Sequence, residues 1–238
     1  MDGLAGHGQP LPVLAWQHIL PKGEKRRRQS VRYTIFSVDD SRQHYINNML
    51  PQLEGWEHIG VSSVDGRIKE QLEHAQKDHP YPVNWPAQLG HLGIWHSVLN
   101  ALEHAPIVTF EDDAILGSDF QSNFNFRVRE LPEDWDFFSL FLPRDSTHLF
   151  DDRVHGRGHS ICRTYQRYGG VSMYYSEKGA KKIKALLERD GLTGQYDDTL
   201  YAYSKAGELN GYCSKPSWSD LVYISGLEKS IVQETDYA

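Results

Sequence analysis

Cysteine is almost missing from this chain, with only Cys162 and Cys213 in 238 residues. Two thiols so widely spaced fit neither a disulfide framework nor a zinc site, so both read as reduced bystanders that give no argument for an oxidising compartment. Long apolar runs are lacking as well. No stretch approaches the roughly 20 residues that cross a bilayer, and the N-terminus lacks the charged start, apolar middle and small-residue cleavage site of a signal peptide. The expectation is a cytoplasmic protein with no transmembrane segment. Internal repeats are also absent, and a chain of this length holds a core without a disulfide or metal scaffold, so one domain is expected.

Basic charge is in short supply, 25 Lys and Arg against 32 Asp and Glu. Six of the basic residues, with one acid, crowd into Pro21 to Arg32 (PKGEKRRRQSVR), which leaves 19 basic against 31 acidic residues elsewhere. Such a block reads first as a solvated linker. A polyanion would have to use this arm or a local groove, because the body is acidic. Residues 1–30, rich in Gly, Pro and charge, form an appendage, and 31–238 form the folded domain.

What is present alternates between strand and helix signals. Tyr33 to Val38 (YTIFSV) is a β-rich run ended by Asp39, Asp40 and Ser41, which suits a strand followed by a helix cap. A helix over Arg42 to Leu53 follows, then a strand over His58 to Val64 closed by the Asp65-Gly66 turn. Gln88 to His104 repeats Leu92, Trp95, Leu99 and Leu102 along one helical face. Past Pro106, Ile107 to Phe110 (IVTF) is a short apolar strand running into Glu111, Asp112 and Asp113. Strands over Trp135 to Leu142 and Gly169 to Tyr175, and a helix over Glu177 to Arg189, complete an α/β layered pattern.

Three adjacent carboxylates repel one another unless a cation is held among them, and a hard divalent ion with oxygen ligands is the usual solution. The alternative is a solvated acidic loop. Position favours a site, since open α/β sheets bind ligands outside the carboxyl ends of their strands.

Several stretches, in one order from about Tyr33 to Leu221, resemble the family 25 glycosyltransferases, a group with the nucleotide-sugar-binding GT-A fold. The strand with a following Asp is similar to Ile35–Ser41 (IFSVDDS), and the family's "AVDG" turn to Ser63, Val64, Asp65 and Gly66. The Ser-His-x-x-x-Trp helix resembles Gly90 to Trp95, with Gly90 in place of the Ser, and the "LEDD" signature resembles Phe110 to Asp113. The "P-x-D-W-D" strand is similar to Leu131–Phe137, and the following helix start to Tyr175–Lys182. The acidic "D-x-x-L" element and later Ser-Asp pair resemble Asp197 to Leu200 and Ser219-Asp220.

The resemblance implies a GT-A-like mixed sheet flanked by helices, and an inverting, metal-dependent transfer of a hexose, of glucose or galactose type. The donor would be a nucleotide sugar, UDP-linked by preference, and the acceptor a hydroxyl-bearing glycan. A hydroxylated DNA base is the second acceptor class, and a non-catalytic sugar-nucleotide-binding module is the reading from outside enzymes. By analogy, Asp113 holds a divalent metal (Mn2+ or Mg2+), with Asp220 as a further ligand where many such enzymes have a late His. Glu111 and Asp112 face the donor's ribose or sugar. Ser37, Asp39 and Asp65 cradle the nucleoside, and Arg67 is either a phosphate ligand or a surface residue. His91 matches a position near the donor, though beside Trp95 and Val98 it reads first as a structural histidine. Asp197, with Asp198 behind it, is the candidate base; the competing reading is that the pair caps a helix.

Overall fold

The computed structural model describes residues 30–141, 150–151, 160–164, 169–214 and 221–224. The appendage and its basic run up to position 29, and the expected metal ligand Asp220, lie outside the described residues.

The first half of the domain runs β1 (Arg32–Phe36), α1 (Gln43–Met49), β2 (Glu57–His58), α2 (Lys69–Asp78), α3 (Leu89–Leu102), β3 (Ile107–Glu111), β4 (Ala114–Leu116) and α4 (Phe120–Val128). The second half contributes β5 (Phe137–Ser139), β6 (Phe150–Asp151), β7 (Ile161–Thr164), β8 (Ser172–Tyr175), α5 (Glu177–Asp190), α6 (Tyr196–Lys205), β9 (Gly211–Ser214) and β10 (Val222–Ile224). Eight strands form one sheet in the order β2-β1-β3-β8-β5-β9-β7-β6, and β4 pairs with β10 in a separate two-stranded ribbon. The sheet is mixed: β1 and β3 are parallel, with Tyr33 opposite Val108 and Phe36 opposite Glu111, whereas β8 runs antiparallel to both β3 and β5. The α/β expectation with a mixed sheet and flanking helices is met at that level. Among the described residues no helix is long and apolar enough to cross a membrane.

Strand periodicity explains how one sheet serves two cores. Successive strand residues point to opposite faces. Ile107, Phe137, Met173 and Tyr175 therefore join the core under α2, α3, α5 and α6, while Val108, Phe110 and Phe138 join the one under α1 and α4. A sheet covered on both faces needs near-continuous apolar strands, which is why IVTF and DFFSL carry so few polar residues.

Among the differences from the sequence expectation are two elements and the cysteine pair. The helix expected over Arg42 to Leu53 is three pieces: a 3-10 turn at Asp40–Arg42, α1, and a 3-10 turn at Leu50–Leu53 carrying Pro51. Pro at the start of a turn has no N–H for an α ladder. The expected strand His58 to Val64 is limited to β2. Past Ile59, whose N–H still donates to the Tyr33 carbonyl of β1, the segment leaves the sheet, and side chains hold its end: Ser97 Oγ accepts the Val64 N–H at 2.8 Å, and Gln71 Oε1 that of Asp65 at 3.0 Å. Cys162 and Cys213, far apart in sequence, are direct cross-strand neighbours on β7 and β9, fully buried with their sulfurs 3.7 Å apart.

Candidate functional site

Parallel β1 and β3 end side by side, so the residues that follow them share one edge of the sheet. Phe36, Ser37 and Val38 leave β1 there, Glu111 and Asp112 leave β3, and the turn Ser63 to Arg67 closes over them from α2. Gly90, Ile94 and Ser97 of α3 form the floor of the resulting crevice. The turn can lie this close because it lacks side chains where it touches the helix. A Cβ on Gly66 would stand 1.7 Å from the Leu89 carbonyl oxygen, and one on Gly93 would stand 2.5 Å from that of Val64.

Charge inside the crevice is paired. Arg67 grips Asp65 with two nitrogens, Nε to Oδ1 at 2.9 Å and Nη2 to Oδ2 at 2.7 Å, and its own N–H donates to Asp65 Oδ1. That guanidinium holds the Asp65 carboxyl below its ordinary range. Arg42, at the start of α1, is buried, and its Nη1 reaches Asp112 Oδ1 at 2.9 Å and Asp113 Oδ2 at 3.4 Å. Ser37 donates its N–H to Ser63 Oγ at 3.0 Å, tying the end of β1 to the turn. Asp39 caps the turn that starts at Asp40, accepting the Ser41 N–H at 2.8 Å; this bond is the largest cause of its lowered pKa, with Arg67 and Arg42 adding their charge.

Glu111 turns away from its two acidic neighbours. Its Oε1 lies 3.4 Å from the hydroxyl of Tyr196, the first residue of α6, and that hydroxyl donates a short bond to the Gly170 carbonyl. Packed at the sheet edge with only part of its surface open, its carboxyl is pushed up to about 8, by burial first and then by the charges of Asp113, Asp197 and Asp112. Asp197, next on α6, is also raised by burial, while the Gly169 N–H donates to its Oδ2 at 3.0 Å and pulls the other way. Neither Asp of the pair is the N-cap of this helix, although Asp197 Oδ1 accepts the first-turn Asp198 N–H at 2.9 Å. Gln195 is its N-cap, and Asp197 and Asp198 occupy the first turn, where carboxylates complement the helix dipole.

Of the residues picked out from the sequence, Ser37, Asp65, Arg67, Glu111 and Asp112 line the crevice. Asp113 is joined to it through Arg42, and Asp197 through Glu111 and Tyr196. His91 is not among the lining residues; its ring packs against Trp85 at 5.8 Å. Arg42 and Tyr196 were missed. Arg42 carries a detectable signal, a cation two positions after the Asp39-Asp40 pair, but Tyr196 reads in sequence as one more core aromatic.

Among the described residues no three His, Cys, Asp or Glu side chains converge as a metal-holding group. The donor chemistry nonetheless fits a hard divalent cation in kind, because the Asp112 and Asp113 carboxylates already share one positive charge, that of Arg42. A site of one or two carboxylates completed by substrate phosphate and water is the ordinary magnesium arrangement. Compared with known proteins, the chain matches no family model, and no curated protein matches it.

Proposed function

We propose that this protein is a metal-dependent inverting glycosyltransferase that moves a hexose from a nucleotide sugar to a hydroxyl acceptor. One observation carries the reading: Ser37, Asp65, Arg67, Glu111 and Asp112, five residues chosen from three separate stretches of sequence, line a single crevice at the carboxyl ends of two parallel strands. Crevices at that edge are where open α/β sheets bind nucleotides.

In this reading the turn from Ser63 to Arg67 and the Ser37 backbone hold the nucleoside, and Arg67 and Arg42 face its diphosphate. A divalent ion at Asp113 would act as a Lewis acid, neutralising the charge that develops on the leaving diphosphate. Asp197 takes the proton of the acceptor hydroxyl as its oxygen attacks the anomeric carbon. Glu111, its carboxyl pushed up to about 8 by burial and by the neighbouring acids, stands beside Asp197. Tyr196 fixes the spacing between the two.

The test is a panel of nucleotide sugars with Mn2+, read by thermal shift and by release of free nucleotide. A bound donor at 100 times its Kd adds about 2.7 kcal/mol of stability. Stabilisation by one nucleotide sugar with slow release of nucleotide is the expected result. No stabilisation by any donor overturns the reading, and stabilisation without release under any acceptor makes the protein a binding module instead.

A further inference from the structure

The three acids after β3 are consecutive in sequence but have three different surroundings. Glu111 faces Tyr196 and Asp197. Asp112 and Asp113 both face Arg42, and unequally. The Nη1 to Asp112 distance of 2.9 Å is that of an ordinary charge-assisted hydrogen bond, while the 3.4 Å to Asp113 is at the long limit of one. The better-held carboxylate is also the less accessible, with 7% of the Asp112 side chain exposed against 18% for Asp113. A buried carboxylate stripped of its cation is strongly destabilising, which ties Arg42 to Asp112. The contact with Asp113 is the longer and the more exposed of the two.

We propose that Arg42 is a positioning residue that divides these acids by role: it retains Asp112 as a permanent partner and yields Asp113 to an incoming divalent cation, so that the affinity of the site for the cation is set by competition with its guanidinium. The inference rests on the reading of this crevice as a metal-assisted donor site. It explains how a crowded acidic edge is kept neutral enough to fold before any ligand arrives. It also places a cation beside the donor diphosphate, since Arg42 lines the same crevice.

The experiment measures binding of Mn2+ alone, with no nucleotide sugar, by electron paramagnetic resonance titration of free Mn2+. Arg42→Gln should bind Mn2+ at least about tenfold more tightly than the wild type, because a positive charge within a few ångströms of the ligand is removed. Arg42→Lys, which keeps the charge, should stay within about threefold of wild type. Asp112→Asn should weaken binding, since the Arg42 charge then falls more fully on Asp113. Should Arg42→Gln fail to fold around an uncompensated Asp112, the double variant Arg42→Gln/Asp112→Asn removes both partners and should regain the affinity lost in Asp112→Asn. Wild-type binding that is abolished by Asp113→Asn yet unchanged in the folded Arg42 variants overturns the role of Arg42 and leaves the transferase reading standing. Absence of Mn2+ binding in the wild type, the Arg42 variants and Asp113→Asn alike overturns both.

Discussion

Asp197 and Asp198 are adjacent, and the environment of each decides what its loss should do. Asp197 accepts the Gly169 N–H, stands beside Glu111 and has its carboxyl raised by burial. Asp197→Asn should cut turnover by roughly 10²- to 10⁴-fold with donor affinity unchanged, the signature of a lost general base. Asp198→Asn should cost at most about 1 kcal/mol, through the helix dipole, and leave turnover near wild type. Steady-state kinetics beside thermal melts distinguish the two; normal turnover in Asp197→Asn would refute the assignment. A second residue-scale prediction lies outside the crevice. His96 of α3 is buried with neither ring nitrogen hydrogen-bonded, and burial, helped by the nearby His79, lowers its pKa from 6.5 to about 4. The unfolded chain therefore takes up a proton before the native state does, so stability is lost as pH falls from about 6.5 to about 4, by up to about 3 kcal/mol. The His79 ring stands beside it at 6.3 Å and is itself hydrogen-bonded to Asn100, which does not titrate. His96→Phe should flatten the pH dependence of the melting temperature in that window, while an unchanged slope would assign the acid lability elsewhere.

At the scale of elements, the site depends on how closely the Ser63 to Arg67 turn lies on α3. Gly66→Ala and Gly93→Ala each put a methyl group into backbone that has no flexible end to move aside, at 1.7 Å and 2.5 Å from carbonyl oxygens. Each should destabilise by about 1–3 kcal/mol and weaken nucleotide-sugar binding more than stability alone explains, because the turn carrying Asp65 and Arg67 must lift. Isothermal titration beside melts of the same variants checks this. The physics of these elements also explains what could be read in advance. α3, β3 and α5 are legible because their apolar residues recur at helical or strand spacing with little interruption, as in Leu92, Trp95 and Leu99 or in IVTF. The acidic edge follows at once, since a strand running straight into three carboxylates fixes where they emerge. α2 went unread because it buries only Leu72 and Ala75, and α4 because its Phe residues fall among polar ones. The stretch from Ile59 to Val64 looks like a strand because its composition is that of one, but past Ile59, whose N–H still bonds to the Tyr33 carbonyl of β1, it leaves the sheet, and the Val64 N–H goes to the Ser97 side chain of α3, a tertiary choice invisible to local propensity. Tyr196 and Arg42 escaped for the same reason: their roles arise from the 85 and 70 positions that separate them from Glu111 and Asp112 in sequence and vanish in the fold.

On the scale of the whole molecule, the site is braced from the far end of the chain. β4 begins one residue after Asp113, and its partner is β10, with Val222 opposite Leu116 and Ile224 opposite Ala114. Leu221 and Val222 are fully buried in the same core as Phe110, Phe120 and Phe138, and Gly117 donates its N–H to the Leu221 carbonyl at 2.9 Å. A two-stranded ribbon is marginal by itself, so its order comes from this packing. The acids therefore sit between a rigid β3 on one side and a ribbon whose second strand arrives about a hundred residues later, and contacts that close such a long loop form only when the rest of the fold is in place. Leu221→Ala should destabilise by about 2–5 kcal/mol through the cavity it leaves. The more telling effect is local. Amide exchange at Ala114, Ile115 and Leu116 should accelerate well before the central strands β3 and β8 lose protection, because the ribbon opens at lower free energy than the sheet. Donor binding should weaken in step with that local opening, since Asp112 and Asp113 lose the segment that aims them. Hydrogen exchange read residue by residue, with nucleotide-sugar affinity measured on the same variant, tests the coupling; if β4 and β3 exchange together and affinity tracks only global stability, the ribbon is part of the core and not a separate brace.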